Sequence, residues 1–172
     1  MRRDEIEADL RAVGAELAHQ GLIGEIVLAG GAFMTLVLRS REATLDVDAF
    51  FDPQTSGAIR AAALKVARQN GLPDDWLNDA VKGFFATPPL TTRWAEYPGL
   101  RIDALRPAYM FAMKAVAGRP RDLSDIEVLA RHLGVTSSEG ALAIVTEHVL
   151  VDTPSPFKRR NIYGGDRILS RV

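Results

Sequence analysis

Two short apolar runs set the architecture of this chain: Glu25-Ile26-Val27-Leu28-Ala29, followed by Gly30-Gly31, and Thr44-Leu45-Asp46-Val47-Asp48-Ala49-Phe50-Phe51. The first run is rich in β-branched residues, which is typical of a buried strand that ends at the glycine pair. The second run combines β-branched and aromatic residues and stops at Asp52-Pro53, so it predicts another strand. Residues 32–39 between them predict a helix. The centre of the chain is therefore predicted to be a strand, a helix and a strand.

The rest of the chain predicts more helices and one β-hairpin. The hairpin is expected over residues 91–97 and 100–105, around the turn Pro98-Gly99. Helices are predicted over residues 5–20, from Thr55 or Ser56 to Gly71, from residue 72 to the pair Pro88-Pro89, and over residues 107–117, 123–133 and 138–149. This order predicts an α+β fold, with an α/β core in residues 1–105 and a helical C-terminal part in residues 106–172.

Composition excludes several classes of protein. The 172 residues carry 21 Lys and Arg against 22 Asp and Glu, a formal net charge of −1, so overall basicity gives no argument for nucleic-acid or membrane binding. A basic tail, residues 154–172, offers at most a local patch. The absence of cysteine excludes disulfides, thiolate metal sites and a thiol nucleophile. No apolar run reaches the roughly 18 residues of a membrane span, and we expect a cytoplasmic protein with no membrane partner.

The pair Asp46 and Asp48 is the sharpest chemical signal in the sequence. Residues i and i+2 of a strand point to the same face, so a strand through residues 44–51 places two carboxylates side by side. Their repulsion is relieved if a divalent cation lies between them, and paired hard oxygen ligands suit a Mg²⁺ that also binds phosphates. The alternative is a sheet edge that aspartates protect from pairing with another chain.

Gly30-Gly31 supplies a second element. A turn without Cβ atoms, placed after a strand and before a helix, lets backbone N–H groups approach a phosphate. An ordinary turn is the alternative for the glycine pair taken alone. Together with the aspartate pair on the neighbouring strand, it forms the arrangement needed to hold a nucleoside triphosphate against Mg²⁺.

Several segments in order resemble one family. They are Val27-Leu28-Ala29-Gly30-Gly31, residues 41–48 (Arg-Glu-Ala-Thr-Leu-Asp-Val-Asp), residues 112–119 (Ala-Met-Lys-Ala-Val-Ala-Gly-Arg) and residues 121–126 (Arg-Asp-Leu-Ser-Asp-Ile). These resemble the motifs of the nucleotidyltransferases related to AbiEii, the toxin family of type IV toxin–antitoxin systems. Residues 72–79, with Trp76-Leu77-Asn78-Asp79, are similar to a small bacterial branch of that superfamily. The resemblance implies a polymerase β-like nucleotidyltransferase core, a small mixed sheet flanked by helices with a helical C-terminal part.

The resemblance also implies roles for residues. Gly30 and Gly31 become the phosphate-binding turn, and Asp46 and Asp48 become ligands of Mg²⁺ or Mn²⁺. The core of this superfamily often carries a third carboxylate on a later strand, and Asp103 is the candidate for it. The alternative is that Asp103 is an ordinary aspartate at a strand end or in a turn.

The later motifs carry Lys114 and Asp125. Lys114 lies among apolar helix residues, so its ammonium either binds a triphosphate or a carboxylate, or extends into solvent as an ordinary helix lysine. Asp122 and Asp125 face the same side of the next helix, and Asp125 can pair with Lys114 or Arg119. The resemblance places Asp125 in the wall of the active site.

Three residues between the glycine turn and the aspartates complete the predicted nucleotide-binding set. Arg39 and Arg41 are candidates for triphosphate contact because the geometry of a guanidinium group matches that of phosphate oxygens. Thr44 is the third candidate nucleotide-binding residue. Trp76 and Trp94 are interpreted as core residues.

We therefore predict a Mg²⁺-dependent nucleotidyltransferase. It moves a nucleoside monophosphate from a nucleoside triphosphate to an acceptor hydroxyl; the resemblance implies a tRNA 3′ end as acceptor and a cognate antitoxin as partner. The alternative from another class is a catalytically silent protein of the same fold that binds a nucleotide or a protein.

Overall fold

The computed structural model describes residues 1–79 and 90–148, which form two compact units. The first contains residues 1–79 and Thr91–Leu105, and the second contains Leu90 and residues 106–148. Together they contain a mixed five-stranded sheet and helices, which confirms the α+β class. Within the described residues, no helix is both long and apolar enough to span a bilayer.

The sheet lies in the first unit and mixes parallel and antiparallel pairs. Its strands are β1 (Gly24–Leu28), β2 (Val47–Phe51), β3 (Leu77–Asn78), β4 (Thr91–Tyr97) and β5 (Leu100–Leu105). Their order across the sheet is β3-β2-β1-β5-β4. The central strand β1 is antiparallel to β2 and parallel to β5, with Val27 aligned to both Phe50 and Asp103.

The described residues of the first unit contain three α-helices, of which the first and the last pack on one face of this sheet. They are α1 (Arg3–His19), the short α2 (Gly30–Ala32), which continues as a π-helix over Phe33–Val37, and α3 (Ser56–Asn70). The apolar stripe of α1, formed by Ile6, Leu10, Val13 and Leu17, is completely buried. Gly24 of β1 lies against Leu17 of α1 and Ile59 of α3. Alternation then buries Ile26, Leu28 and Ala49 on that face. Asp48 and Asp103 project from the opposite face, where both are partly exposed.

The second unit is helical. It consists of α4 (Pro107–Ala117), a 3₁₀ turn (Pro120–Asp122), α5 (Leu123–Leu133) and α6 (Ser138–His148). Helix α4 packs against both α5 and α6. The buried residues of this unit include Phe111 of α4, Ile126 and Leu129 of α5, and Ala141 of α6. Its core is therefore built around α4.

Most predicted elements are confirmed. The hairpin and the helices α4 and α5 have the predicted bounds, β1 and α1 begin one and two residues earlier than predicted, and α6 runs from Ser138 to the last described residue. The helix after β1 already begins at Gly30, and the second strand begins at Val47, three residues late. Trp76 is buried as predicted, but Trp94 is partly exposed at a β-bulge of the edge strand β4.

The helix predicted from residue 72 is wrong over residues 72–79, and the rest of that prediction lies outside the described residues. Residues 73–76 form turns and Leu77–Asn78 form β3, because the Val47 N–H donates to the Trp76 carbonyl (2.6 Å) and draws the segment to the edge of β2. The Trp76 indole Nε1 donates to the Ala63 carbonyl of α3 (3.1 Å), which fixes that side chain in the core. Pro88-Pro89 and the basic tail lie outside the described residues.

Candidate functional site

The glycine turn and Asp48 are in direct contact. Gly30 has a φ of +55°, a backbone conformation that favours glycine, and a Cβ placed on it would overlap the Asp48 Oδ2 and lie 2.9 Å from the Asp48 Cβ. The Ala29 N–H also donates to the Asp48 carbonyl (2.9 Å), which extends the pairing of β1 and β2 to this point. The end of β1 and the start of β2 therefore bring together the two sequence motifs.

Thr44 and Arg41 lie beside Gly31. A Cβ on Gly31 would overlap the Thr44 Oγ1 and lie 3.9 Å from the Arg41 Nη1. Thr44 is only 9% exposed, and its hydroxyl donates to the Asp46 carbonyl (3.1 Å). Arg41 has its guanidinium at the turn, as a phosphate-binding role requires, whereas the Thr44 hydroxyl is bound within the loop.

The loop over residues 38–46 joins the π-helix to β2. Arg39 lies in this loop with a φ of +54°, the only non-glycine residue with positive φ in the described part of the chain. π-Helices and left-handed residues both carry a conformational cost and cluster at functional sites. The segment between the glycine turn and β2 thus has an irregular backbone.

Asp46 does not lie in a strand, which corrects the sequence prediction. It is half-buried in a bend of residues 45–46, and β2 begins only at the next residue, Val47. Asp46 still stands two residues before Asp48 and is tied to Thr44 through its carbonyl. The two aspartates are therefore held by different elements, Asp48 by the sheet and Asp46 by the loop.

Asp103 lies on the same face of the sheet as Asp48 but two strands away, on β5. Its Oδ1 accepts from the Arg93 Nε (2.5 Å) and its Oδ2 accepts from the Thr91 Oγ1 (3.3 Å), so both oxygens are used by the edge strand β4. Asp48 lies on β2, on the other side of β1, and strand spacing and rise give roughly 12 Å between the Cα atoms of the two aspartates. Asp103 is consequently placed as an ion-pair partner of Arg93 rather than beside Asp48.

Lys114 is buried in the second unit. Its side chain is 8% exposed, and its Nζ lies 2.7 Å from the Asp122 Oδ1 and 2.8 Å from the Asp125 Oδ2. The alternative of an exposed helix lysine is wrong, and the expected pairing with Asp125 is observed. The Lys114 ammonium gives each of the two buried carboxylates a charged hydrogen-bond partner, which is the requirement for burying such groups.

No sequence pattern indicated one part of the site, the N-terminal segment. The Thr44 N–H donates to the Met1 carbonyl (3.0 Å), the Met1 nitrogen donates to the Thr44 carbonyl (2.6 Å), and Arg2 forms an isolated antiparallel bridge with Ala43. These are backbone contacts, which side-chain patterns do not encode. They attach the loop to the residue that precedes α1.

The donor set has consequences for metal binding. Across residues 1–79 and 90–148, no group of three His, Asp or Glu side chains is close enough to hold a metal ion without other ligands. Asp46 and Asp48 provide two carboxylates, and Mg²⁺ is commonly bound by one or two carboxylates together with substrate phosphates and water. The residues present therefore fit a metal that arrives with a phosphate ligand.

No family model, curated protein or solved structure matches this chain. The fold and the site define an α+β protein in which a glycine turn packs on an aspartate.

Proposed function

We propose that the chain is a Mg²⁺-dependent nucleotidyltransferase with a polymerase β-like core. The observation that carries the proposal is the contact between the left-handed Gly30 and the Asp48 carboxylate, with the Arg41 guanidinium beside Gly31. Because neither glycine has a Cβ, Asp48 and Thr44 can pack directly on the turn, which brings a carboxylate and the Arg41 guanidinium next to its backbone N–H groups. This combination suits a triphosphate bound with its cation.

The reaction is a displacement at the α-phosphate of a nucleoside triphosphate. A bond forms between the acceptor oxygen and the α-phosphorus, and the acceptor hydroxyl releases its proton to solvent. The bond from the α-phosphorus to the bridging oxygen breaks, and pyrophosphate leaves. Asp46 and Asp48 would hold Mg²⁺ or Mn²⁺, which when bound would neutralise the negative charge that develops in the reaction. Arg41 and the turn at Gly30-Gly31 orient the triphosphate, and Arg39 adds a second guanidinium from the same loop.

Lys114, Asp125 and Asp103 take no part in nucleotide contact in this proposal. The Lys114 ammonium is bound by two buried carboxylates, and Asp103 is bound by Arg93 and Thr91. Their roles are to stabilise the helical unit and the hairpin.

The acceptor and partner follow from the sequence resemblance. We propose a hydroxyl at a tRNA 3′ end as acceptor and a cognate antitoxin as protein partner, in a cytoplasmic toxin–antitoxin system. The near-zero net charge requires that tRNA binds at a local patch rather than through a general positive field.

A second candidate is a silent protein of the same fold that binds a nucleotide without transferring it. It is favoured by one observation, the commitment of Asp103 to Arg93, which leaves two carboxylates at the glycine turn. Such a protein binds Mg²⁺ and nucleotide but forms no product.

The test is transfer of label from each α-labelled nucleoside triphosphate to tRNA, to total protein and to the chain itself. Wild type is compared with the double variant Asp46→Asn and Asp48→Asn, and with Asp103→Asn as the matched control. Label on tRNA that is lost in the double variant and kept in Asp103→Asn supports the transferase. Nucleotide binding without label on any acceptor supports the silent protein, and label that survives in the double variant overturns the assignment of the site.

A further inference from the structure

Thr44 connects three parts of the candidate site. Its backbone forms two hydrogen bonds with Met1, its hydroxyl donates to the Asp46 carbonyl, and its side chain fills the space above Gly31 that a Cβ would occupy. With 9% exposure it is among the few buried polar residues of the first unit.

We infer that Thr44 is a positioning residue that fixes Asp46 against the glycine turn, and that it does not bind nucleotide. A threonine hydroxyl has a single proton to donate, and here that proton goes to the Asp46 carbonyl. The inference rests on the proposed function only in that Asp46 is a metal ligand there; the positioning itself is a property of the loop.

Asp46 needs such support because of its place in the chain. Asp48 is held by the hydrogen bonds of β2, whereas Asp46 lies in a bend at the end of a loop that contains the left-handed Arg39. A ligand held on an irregular segment must be oriented by its neighbours if it is to bind a metal well. The backbone of Thr44 is hydrogen-bonded to Met1, and its side chain packs on Gly31. The hydrogen bond from its hydroxyl to the Asp46 carbonyl therefore restricts the movement of Asp46 relative to both.

The test compares Thr44→Val with Thr44→Ser in the full chain. Valine keeps the shape and removes the hydroxyl, and serine keeps the hydroxyl. Binding of Mn²⁺ is titrated alone and with ATP. Loss of one neutral hydrogen bond corresponds to a factor of about three to ten in affinity. We therefore expect Thr44→Val to weaken Mn²⁺ binding by that factor, and Thr44→Ser to bind Mn²⁺ with an affinity within about twofold of wild type.

A matched control separates positioning from general stability. Thr55 Oγ1 donates to the Asp52 Oδ2 over the same distance, 3.1 Å, beyond the opposite end of β2. Thr55→Val also removes a threonine hydroxyl that donates to an aspartate, here to its carboxylate, and should leave the Mn²⁺ midpoint unchanged. A purely structural role of Thr44 would lower the melting temperature without moving that midpoint, and this result would overturn the inference, as would equal weakening by serine and valine.

A second readout is independent of the proposed function. Hydrogen exchange of the backbone amides of residues 42–46, followed by mass spectrometry, should be faster in Thr44→Val than in wild type and Thr44→Ser. Unchanged exchange overturns the positioning role. If wild type binds neither Mn²⁺ nor ATP while exchange responds as expected, the proposed function fails and the positioning of Asp46 stands.

Discussion

Gly30→Ala probes the contact on which the site depends. Alanine at a φ of +55° carries a left-handed cost of about 1–2 kcal/mol. Its Cβ would in addition meet three atoms of Asp48, including the Asp48 Cβ at 2.9 Å and Cγ at 3.0 Å. Asp48 is short and its backbone is held by β2, so it must shift, and overpacking of this kind costs about 1–3 kcal/mol more. We therefore expect a total loss of about 2–5 kcal/mol of unfolding free energy.

Gly71→Ala is the matched control for backbone strain. Gly71 ends α3 with a φ of +68°, and nothing lies within 4 Å of a Cβ placed on it, so only the left-handed cost applies. Urea denaturation gives both free energies, and Mn²⁺ titration gives the state of the site. The reasoning predicts a larger loss and weakened Mn²⁺ binding in Gly30→Ala, and normal Mn²⁺ binding in Gly71→Ala. Equal losses with normal Mn²⁺ binding in both variants would refute it.

Three further predictions concern charged residues. Asp9 is nearly buried and its pKa is raised above 3.8, first by desolvation, while the Asn70 amide that donates to its Oδ1 (2.7 Å) lowers the pKa. Wild type therefore loses stability as the pH rises from 3.8 through the raised pKa. Asp9→Asn should have a larger unfolding free energy than wild type at pH 7, and this difference should vanish near pH 3.8. A difference in unfolding free energy that does not change with pH in urea denaturation would contradict this. Lys114→Met leaves Asp122 and Asp125 without their shared ammonium and should cost about 3–5 kcal/mol of unfolding free energy; a loss below 1 kcal/mol would show that the carboxylates do not depend on Lys114. Asp103→Asn breaks a partly exposed pair with Arg93 and should cost at most about 1 kcal/mol, with Mn²⁺ affinity unchanged; weakened Mn²⁺ binding would return Asp103 to the metal site.

Local patterns predicted most of the fold because local forces dominate in those segments. The turn Pro98-Gly99 predicted the hairpin, and Gly99 takes a φ of +75° there. Helix α4 begins at Pro107 and ends before Gly118, whose φ is +60°, as the breaker residues indicated. In these places the sequence pattern and the tertiary structure favour the same conformation.

The helix predicted after Gly71 does not form in residues 72–79 because tertiary contacts override the local preference of that segment. Pro73 and the acidic residues after it are compatible with a helix start, but burial of Trp76 and pairing with Val47 favour an edge strand instead. Such contacts join residues far apart in the chain, which periodicity within one segment cannot reveal.

The residue types of the candidate site could be predicted from the sequence, but the contacts that hold those residues in place could not. The Gly30-Gly31 and Asp48 motifs indicated a phosphate and metal site, and the structure places them in contact. The loop position of Asp46, the commitment of Asp103 to Arg93 and the attachment of Thr44 to Met1 all depend on distances between elements. No spacing in the sequence specifies those distances.

Calorimetric titration of MgATP tests the central claim most directly, with wild type, Asp48→Asn and Asp103→Asn as the three samples. If the glycine turn and Asp48 hold a nucleotide with its cation, wild type and Asp103→Asn bind MgATP and Asp48→Asn does not. Binding that is equal in all three, or absent from a folded wild type, would contradict the assignment of this site.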